Sequence, residues 1–187
     1  IHRWVEEHLG AEAIHTGRRL GHFTQDEGGV TAYFFDRNNN HVETARGDIL
    51  IGADGIHSKV RSTLFPNEGH PVWNGLMLWR GARDWPAFLT GNSMIVAGGL
   101  HAKVVVYPIA EGETAGNRLT NWAVLVKTGE GGTLPPRRED WSRPGKRDEL
   151  MPHVARFNVP HIDVPALITA TPEFWEYPCC DRDPLPY

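Results

Sequence analysis

Gly47-Asp48-Ile49-Leu50-Ile51-Gly52-Ala53-Asp54-Gly55-Ile56-His57-Ser58-Lys59-Val60-Arg61 is the stretch that decides how this 187-residue chain is read. The apolar run 49–51 has the length of a buried strand, and Asp54-Gly55 behind it is a turn pair. Ser58 is a helix N-cap by type, Val60 and Leu64 stand four apart on one helical face, and Pro66 ends the helix near Phe65. Strand, tight turn and helix in that order are the geometry from which nucleotide cofactors are held. Gly52, Ala53 and Gly55 let a backbone or a phosphate approach with little or no side chain between. Asp-Gly is also among the commonest turn dipeptides, and such a unit needs no ligand to exist.

Upstream, Trp4, Val5, His8 and Leu9 recur at helical spacing and Gly10 is a stop. Residues 14–25, 30–37 and 41–46 read as three strands of a ribbon, joined by Asp26-Glu27-Gly28-Gly29 and Asn38-Asn39-Asn40. Downstream of Trp73 the texture changes to longer strands at 75–83, 93–97, 103–109 and 117–127, which form a separate sheet. Residues 129–144 are rich in Gly, Pro and charge; helices are expected at 147–157 and 162–170, and a returning strand at 171–178. Strand alternation puts Met77 and Trp79 on one face and Leu78 and Arg80 on the other, with Tyr107 opposed to Val106 and Pro108. Taken singly, Trp73, Met77, Trp79, Met94, Tyr107 and Trp122 are core residues by type; as a group they suit a flat apolar pocket for a planar aromatic molecule. Arg80 is then a candidate partner for a carboxylate.

Composition narrows the class. With 40% hydrophobic and 22% charged residues the chain has enough apolar content for a substantial core. A net charge of -4 and a pI near 6.2 give no electrostatic reason for a nucleic-acid or anionic-membrane partner. No apolar run approaches the length of a membrane span, and a cytoplasmic location is the default expectation. The two cysteines, Cys179 and Cys180, are adjacent, which disfavours a mutual disulfide. None of the 10 histidines falls in a metal-ligand spacing such as H-E-x-x-H, so no metal site is expected, and G-x-S-x-G is absent.

The string Asp54-Gly55-x-x-Ser58-x-x-Arg61 behind an apolar run resembles the internal Asp-Gly fingerprint of the single-component, class A FAD-dependent aromatic monooxygenases, the para-hydroxybenzoate and salicylate hydroxylase group. Asp181-Arg182-Asp183-Pro184-Leu185-Pro186 is similar to the segment that leads, in that family, into a Gly-Asp flavin-ribityl motif. Gly75-Leu76-Met77-Leu78-Trp79-Arg80-Gly81, Ser93-Met94-Ile95-Val96 and Val105-Val106-Tyr107-Pro108-Ile109 further resemble the branch of phenazine-1-carboxylate-type hydroxylases. The resemblance implies an α/β (α+β) fold. Residues 1–70 would be part of a doubly wound FAD-binding domain with its β-ribbon, residues 71–178 a mixed β-sheet substrate domain, and residues 179–187 the return to the FAD-binding domain.

The same resemblance implies FAD as cofactor, NADH or NADPH as co-substrate, and O2. The substrate would be a small aromatic or heteroaromatic molecule, carboxylated or not, hydroxylated through a flavin C4a-hydroperoxide. It places Asp54, Gly55 and Arg61 at the cofactor and Arg18 and Leu20 near the adenine. Met77, Trp79, Arg80 and Tyr107 fall on the substrate side, and no catalytic side chain is assigned. The family's opening G-x-G-x-x-G turn is missing and the chain starts at Ile1, so it reads as an internal piece of a longer protein, expected to be inactive alone. A flavoprotein of another reaction type on the same fold (epoxidase, halogenase or reductase) and a non-catalytic ligand-binding sheet are the alternatives. Oligomeric state is not set by these residues.

Overall fold

Short polar turns and alternating apolar positions build the first of two compact units, Ile1–His70 and Pro71–Tyr187. The computed structural model describes residues 2–185, with side chains from Trp4 onward; Ile1, Pro186 and Tyr187 fall outside the described residues. In the first unit, helix α1 (His2–Leu9) and a 3-10 turn (Ala11–Ala13) precede three antiparallel strands, β1 (Arg19–Asp26), β2 (Gly29–Phe35) and β3 (His41–Gly47), in the order β1-β2-β3. The turns form because Asx side chains hold their own backbones: Asp26 accepts from the Gly28 amide at 2.8 Å, and Asp36 accepts from the Asn38 and Asn40 amides at 2.8 Å each. The first strand starts later than expected from 14–25. Gly17 takes a positive φ of 71° and Arg18 donates back to the Thr16 carbonyl at 2.8 Å, which turns the chain before pairing begins.

The expected strand at 49–51 does not form. The segment is unpaired, and Ile49 and Ile51 are 81% and 84% exposed. A buried strand needs a neighbour on its edge, and among the described residues no strand offers one. The doubly wound parallel sheet is therefore not seen among them: every strand pairing is antiparallel. Helix α2 (Lys59–Leu64) follows the turn as expected.

The second unit is one five-stranded sheet with two helices on one face. Strands β4 (Val72–Pro86), β5 (Ile95–Gly98), β6 (Ala102–Glu111), β7 (Asn117–Lys127) and β8 (Phe174–Asp181) run in the order β5-β6-β7-β4-β8. The sheet is antiparallel throughout, not mixed: β5-β6 and β6-β7 are consecutive antiparallel pairs, and β4 pairs antiparallel with both β7 and β8. Period-two alternation sends Met77, Trp79, Val104, Val106, Trp122 and Val124 to the face covered by α3 (Arg147–Val154) and α4 (Val164–Ala170). Leu150, Val154, Leu167 and Ile168 meet them from the helices, each fully buried. Burying an aliphatic side chain of this size contributes about 1.5–3 kcal/mol before entropy is counted. Gly81 lies opposite Trp122 in register, and a Cβ there would stand 2.8 Å from the Trp122 ring. Strand β8 runs beyond Pro178: Cys180 pairs with Trp73 and Asp181 with Val72, so residues 179–181 belong to this sheet.

Candidate functional site

The Asp-Gly turn is organised by the Asp54 carboxylate. It accepts from the Lys59 amide at 2.6 Å, the Val60 amide at 3.3 Å and the Ser58 hydroxyl, while Ser58 Oγ accepts from the Arg61 amide at 2.9 Å. Two side chains thus satisfy the open amides of the first turn of α2. Burial opposes ionisation of Asp54, but the hydrogen bonds from Ser58, Lys59 and Val60 outweigh it and hold the carboxyl below its ordinary range. Gly55 has φ of +80°, and a Cβ built there would meet nothing within 4 Å. The backbone at Gly55 is therefore open to a partner on a side where an L-residue would be strained. Gly52 is glycine for a different reason: its missing Cβ would press on Val60 at 2.7 Å.

Arg61 lies in α2 and grips Glu68 with both its Nε, at 2.7 and 3.0 Å, and a terminal nitrogen. Arg18 pairs with Glu43 and donates to Thr16, and Leu20 is half-buried in β1 opposite Phe34. The structure joins Asp54 and Gly55 in one turn and links them to α2 and Arg61, while Arg18 and Leu20 belong to the ribbon. A groove of about 350 Å³ lies in the same unit, with Phe23, Val30, Asp48, Ile49, Val60 and Leu64 in its lining. Sequence reading did not single it out, because it is built from strands and a helix distant in the chain.

In the second unit the four residues expected on the substrate side divide between two faces. Met77 and Trp79 are each 2% exposed and packed beneath the helices, and the Trp79 indole donates to Glu176 at 3.0 Å. Arg80 and Tyr107 are half-buried on the opposite face. Alternation foresaw the split but not which face the helices cover. Two residues that sequence reading passed over join Arg80 there: its guanidinium carbon is 5.1 Å from the centre of the Trp141 ring and 5.5 Å from that of Tyr177. The signal for Trp141 was an indole inside a run of Gly, Pro and charge, where core packing gives no reason for one.

Among the described residues no three His, Cys, Asp or Glu stand together as metal ligands, and no helix is long and apolar enough to cross a membrane. Residues 3–128, which contain the turn, match a sequence family described as FAD binding domain. The chain belongs to the FAD binding domain family.

A curated relative of this FAD binding domain chain, phenazine 1,6-dicarboxylic acid hydroxylase of Lysobacter antibioticus, is 32% identical over 185 residues, covering 97% of this chain and 45% of the relative. The 6-methylsalicylate 1-monooxygenase of Aspergillus terreus is 38% identical over 115 residues, 55% of this chain and 25% of that protein. Among solved structures, Klebsiella pneumoniae HpxO complexed with FAD and uric acid superposes with a TM-score of 0.64 at 22% identity, over 98% of this chain and 42% of that one. That likeness shows the fold. The FAD binding domain chain spans less than half the length of each of these proteins.

The residues present fit a flavin in part. The α2 amides are already filled by Asp54 and Ser58 and are not available to a phosphate, whereas the side of Gly55 where a Cβ would stand is open, its carbonyl accepting from the Ser58 amide at 3.0 Å.

Proposed function

We propose that the chain is part of an FAD-dependent monooxygenase that consumes NADH or NADPH and O2 and hydroxylates a small aromatic or heteroaromatic molecule. The observation that carries this reading is the FAD binding domain match across an Asp54-Gly55 turn whose glycine is open on the side where a Cβ would stand. Relatives named as phenazine dicarboxylate and methylsalicylate oxygenases support it. Residues 1–70 would be the FAD-binding part, the sheet of residues 71–181 the substrate part, and residues 182–187 the lead back toward the cofactor. NADH or NADPH use agrees with a cytoplasmic location.

When bound, FAD supplies the redox and oxygen chemistry. The chain's own residues place it and keep water away. Asp54 fixes the turn, and Gly55, Arg61, Arg18 and Leu20 would hold the cofactor. In the second unit Arg80 and Tyr107 face the substrate, while Met77 and Trp79 stiffen the sheet from its core side. A rigid sheet face that excludes water and holds the ring lowers the barrier by orientation rather than by a reacting side chain.

The test is oxygen transfer in the full-length protein. NADPH consumption should rise when an aromatic acid is added under ¹⁸O2, and the product should gain one labelled oxygen atom. NADPH consumption with release of hydrogen peroxide and no labelled product across a panel of aromatic acids contradicts the proposal.

A further inference from the structure

A cavity of about 220 Å³ lies where the last turn of α3 meets the start of β6 and the end of β7. The strands build one side of it. Ala102 and Val126 are paired in register on the helix-covered face, and the Lys127 amide donates to the His101 carbonyl at 2.8 Å, which sets Lys127 and His101 side by side at the rim. Helix α3 builds the other side. Val154, fully buried, anchors its end; the Ala155 amide donates to the Met151 carbonyl and the Phe157 amide to the Val154 carbonyl, each at 2.9 Å, and this turn brings Arg156 and Phe157 to the cavity beside His153. The floor is apolar, from Val126 of the core and from Ala102 and Phe157 packed against it. The rest of the lining is His101, Lys127, His153 and Arg156.

Four basic side chains and no carboxylate line this cavity, in a chain whose net charge is -4. Several cations elsewhere in the unit have partners: Arg118 has Glu111 at 2.8 Å, Lys146 has Glu149 at 2.9 Å, and Arg147 donates to the Thr169 and Thr171 carbonyls. Of the four at the cavity, Lys127 has a counter-charge, Glu130 at 3.3 Å, whose side chain is 81% exposed. Among the described residues no carboxylate, carbonyl or hydroxyl accepts from Arg156, His101 or His153. Basic groups gathered round an apolar floor repel one another when charged, and an anion among them relieves the repulsion. The planar fork of Arg156 matches a carboxylate. With Lys127 shared by Glu130, Arg156 is the one permanent charge here without a partner, which suits a monoanion better than a dianion. The floor offers the methyl groups of Ala102 and Val126 with one phenyl ring, and covering it favours an aliphatic chain over a bare inorganic anion. The cavity is smaller than the about 300–1,000 Å³ of sites for drug-sized ligands, so the chain is short.

We propose that this cavity binds a short aliphatic carboxylate, its head held by Arg156 among the other basic side chains and its chain laid on Val126 and Phe157. The site lies on the helix-covered side of the sheet, opposite the face that carries Arg80 and Tyr107, and is a second ligand site that does not depend on the monooxygenase reading.

The experiment is a ligand-observed NMR titration of the full-length protein with hexanoate, with 1-hexanol as the uncharged chain and inorganic phosphate as the anion without a chain. Hexanoate should bind with a Kd of about 0.1–1 mM, and hexanol and phosphate each at least about 10-fold more weakly. Arg156→Gln should weaken hexanoate about 10-fold and move hexanol less than about 2-fold, and Ala102→Leu, which fills the floor, should weaken hexanoate at least about 5-fold. Two control variants, Arg37→Gln in the first unit and Arg80→Gln on the opposite face of the sheet, should leave hexanoate within about 2-fold of wild type. Near-ultraviolet circular dichroism matched to wild type shows that each variant is folded. No binding of hexanoate up to about 10 mM, or phosphate binding as tightly as hexanoate, overturns the proposal. So does a hexanoate affinity that Arg156→Gln and Ala102→Leu both leave unchanged, or one that is lost with Arg80→Gln instead.

Discussion

Replacing Glu176 by Gln probes how the second unit holds its linker, residues 128–146 between β7 and α3, and its cost can be worked from the contacts. The carboxylate is 1% exposed and receives three donors, from Trp79, Lys146 and Arg137. Glutamine keeps the shape and one acceptor oxygen, but turns the other terminal group into a donor that faces donors. Breaking one side of a buried ion pair costs about 3–5 kcal/mol. Arg137 is 23% exposed and keeps Glu149, so the lower end applies, about 3 kcal/mol. At a urea slope of about 2 kcal/mol/M this lowers the midpoint by about 1.5 M. Urea unfolding followed by tryptophan fluorescence reports on this unit, since six of the seven tryptophans lie in it. A double variant with Arg137→Met should fall short of additivity by at least about 1 kcal/mol. A midpoint shift below about 0.4 M at unchanged slope, or full additivity, refutes the reasoning.

Three further outcomes are expected. Asp54→Asn should weaken the first unit by about 1 kcal/mol at neutral pH through its α2 cap. The carboxyl titrates below its ordinary 3.8 in the folded state, so its stabilisation is present above 3.8 and is lost as the pH falls through the folded value; the gap between wild type and variant should close in acid, and a constant gap contradicts the cap. Gly81→Ala should cost about 1–3 kcal/mol, because its Cβ would meet Trp122 at 2.8 Å and Phe174 and Thr171 at 3.0 Å, a loss visible as a lower melting temperature. Burial, then Cys180 and Glu139, push the Cys179 thiol up to about 11, so at pH 8 only about 0.1% is thiolate and iodoacetamide should label it far more slowly in the native protein than after unfolding.

Local chemistry made much of the fold legible. The Asp26 and Asp36 turns, the Ser58 cap and the alternation of Met77, Leu78, Trp79 and Arg80 act within a few residues, and each stands where short-range patterns put it. What failed depends on partners far along the chain. Residues 49–51 have a strand's composition but no edge to pair with, so Ile49 and Ile51 lie exposed. Alternation separated the two faces of β4 without saying which one the helices cover, and Met77 and Trp79 went to the core while Arg80 did not. Trp141 and Tyr177 reach Arg80 only because Glu176 fastens the linker to an edge strand, and nothing in the residues around Glu176 announces a buried carboxylate.

The proposed function requires that the full-length protein hold a flavin, and the visible spectrum of that protein after purification tests it most directly. The account predicts flavin absorption bands that bleach under anaerobic NADPH, and faster when an aromatic acid such as phenazine-1-carboxylate is present. A colourless protein that cannot be reconstituted with FAD, or a bound flavin that NADPH and NADH both leave oxidised with the acids present, would contradict it.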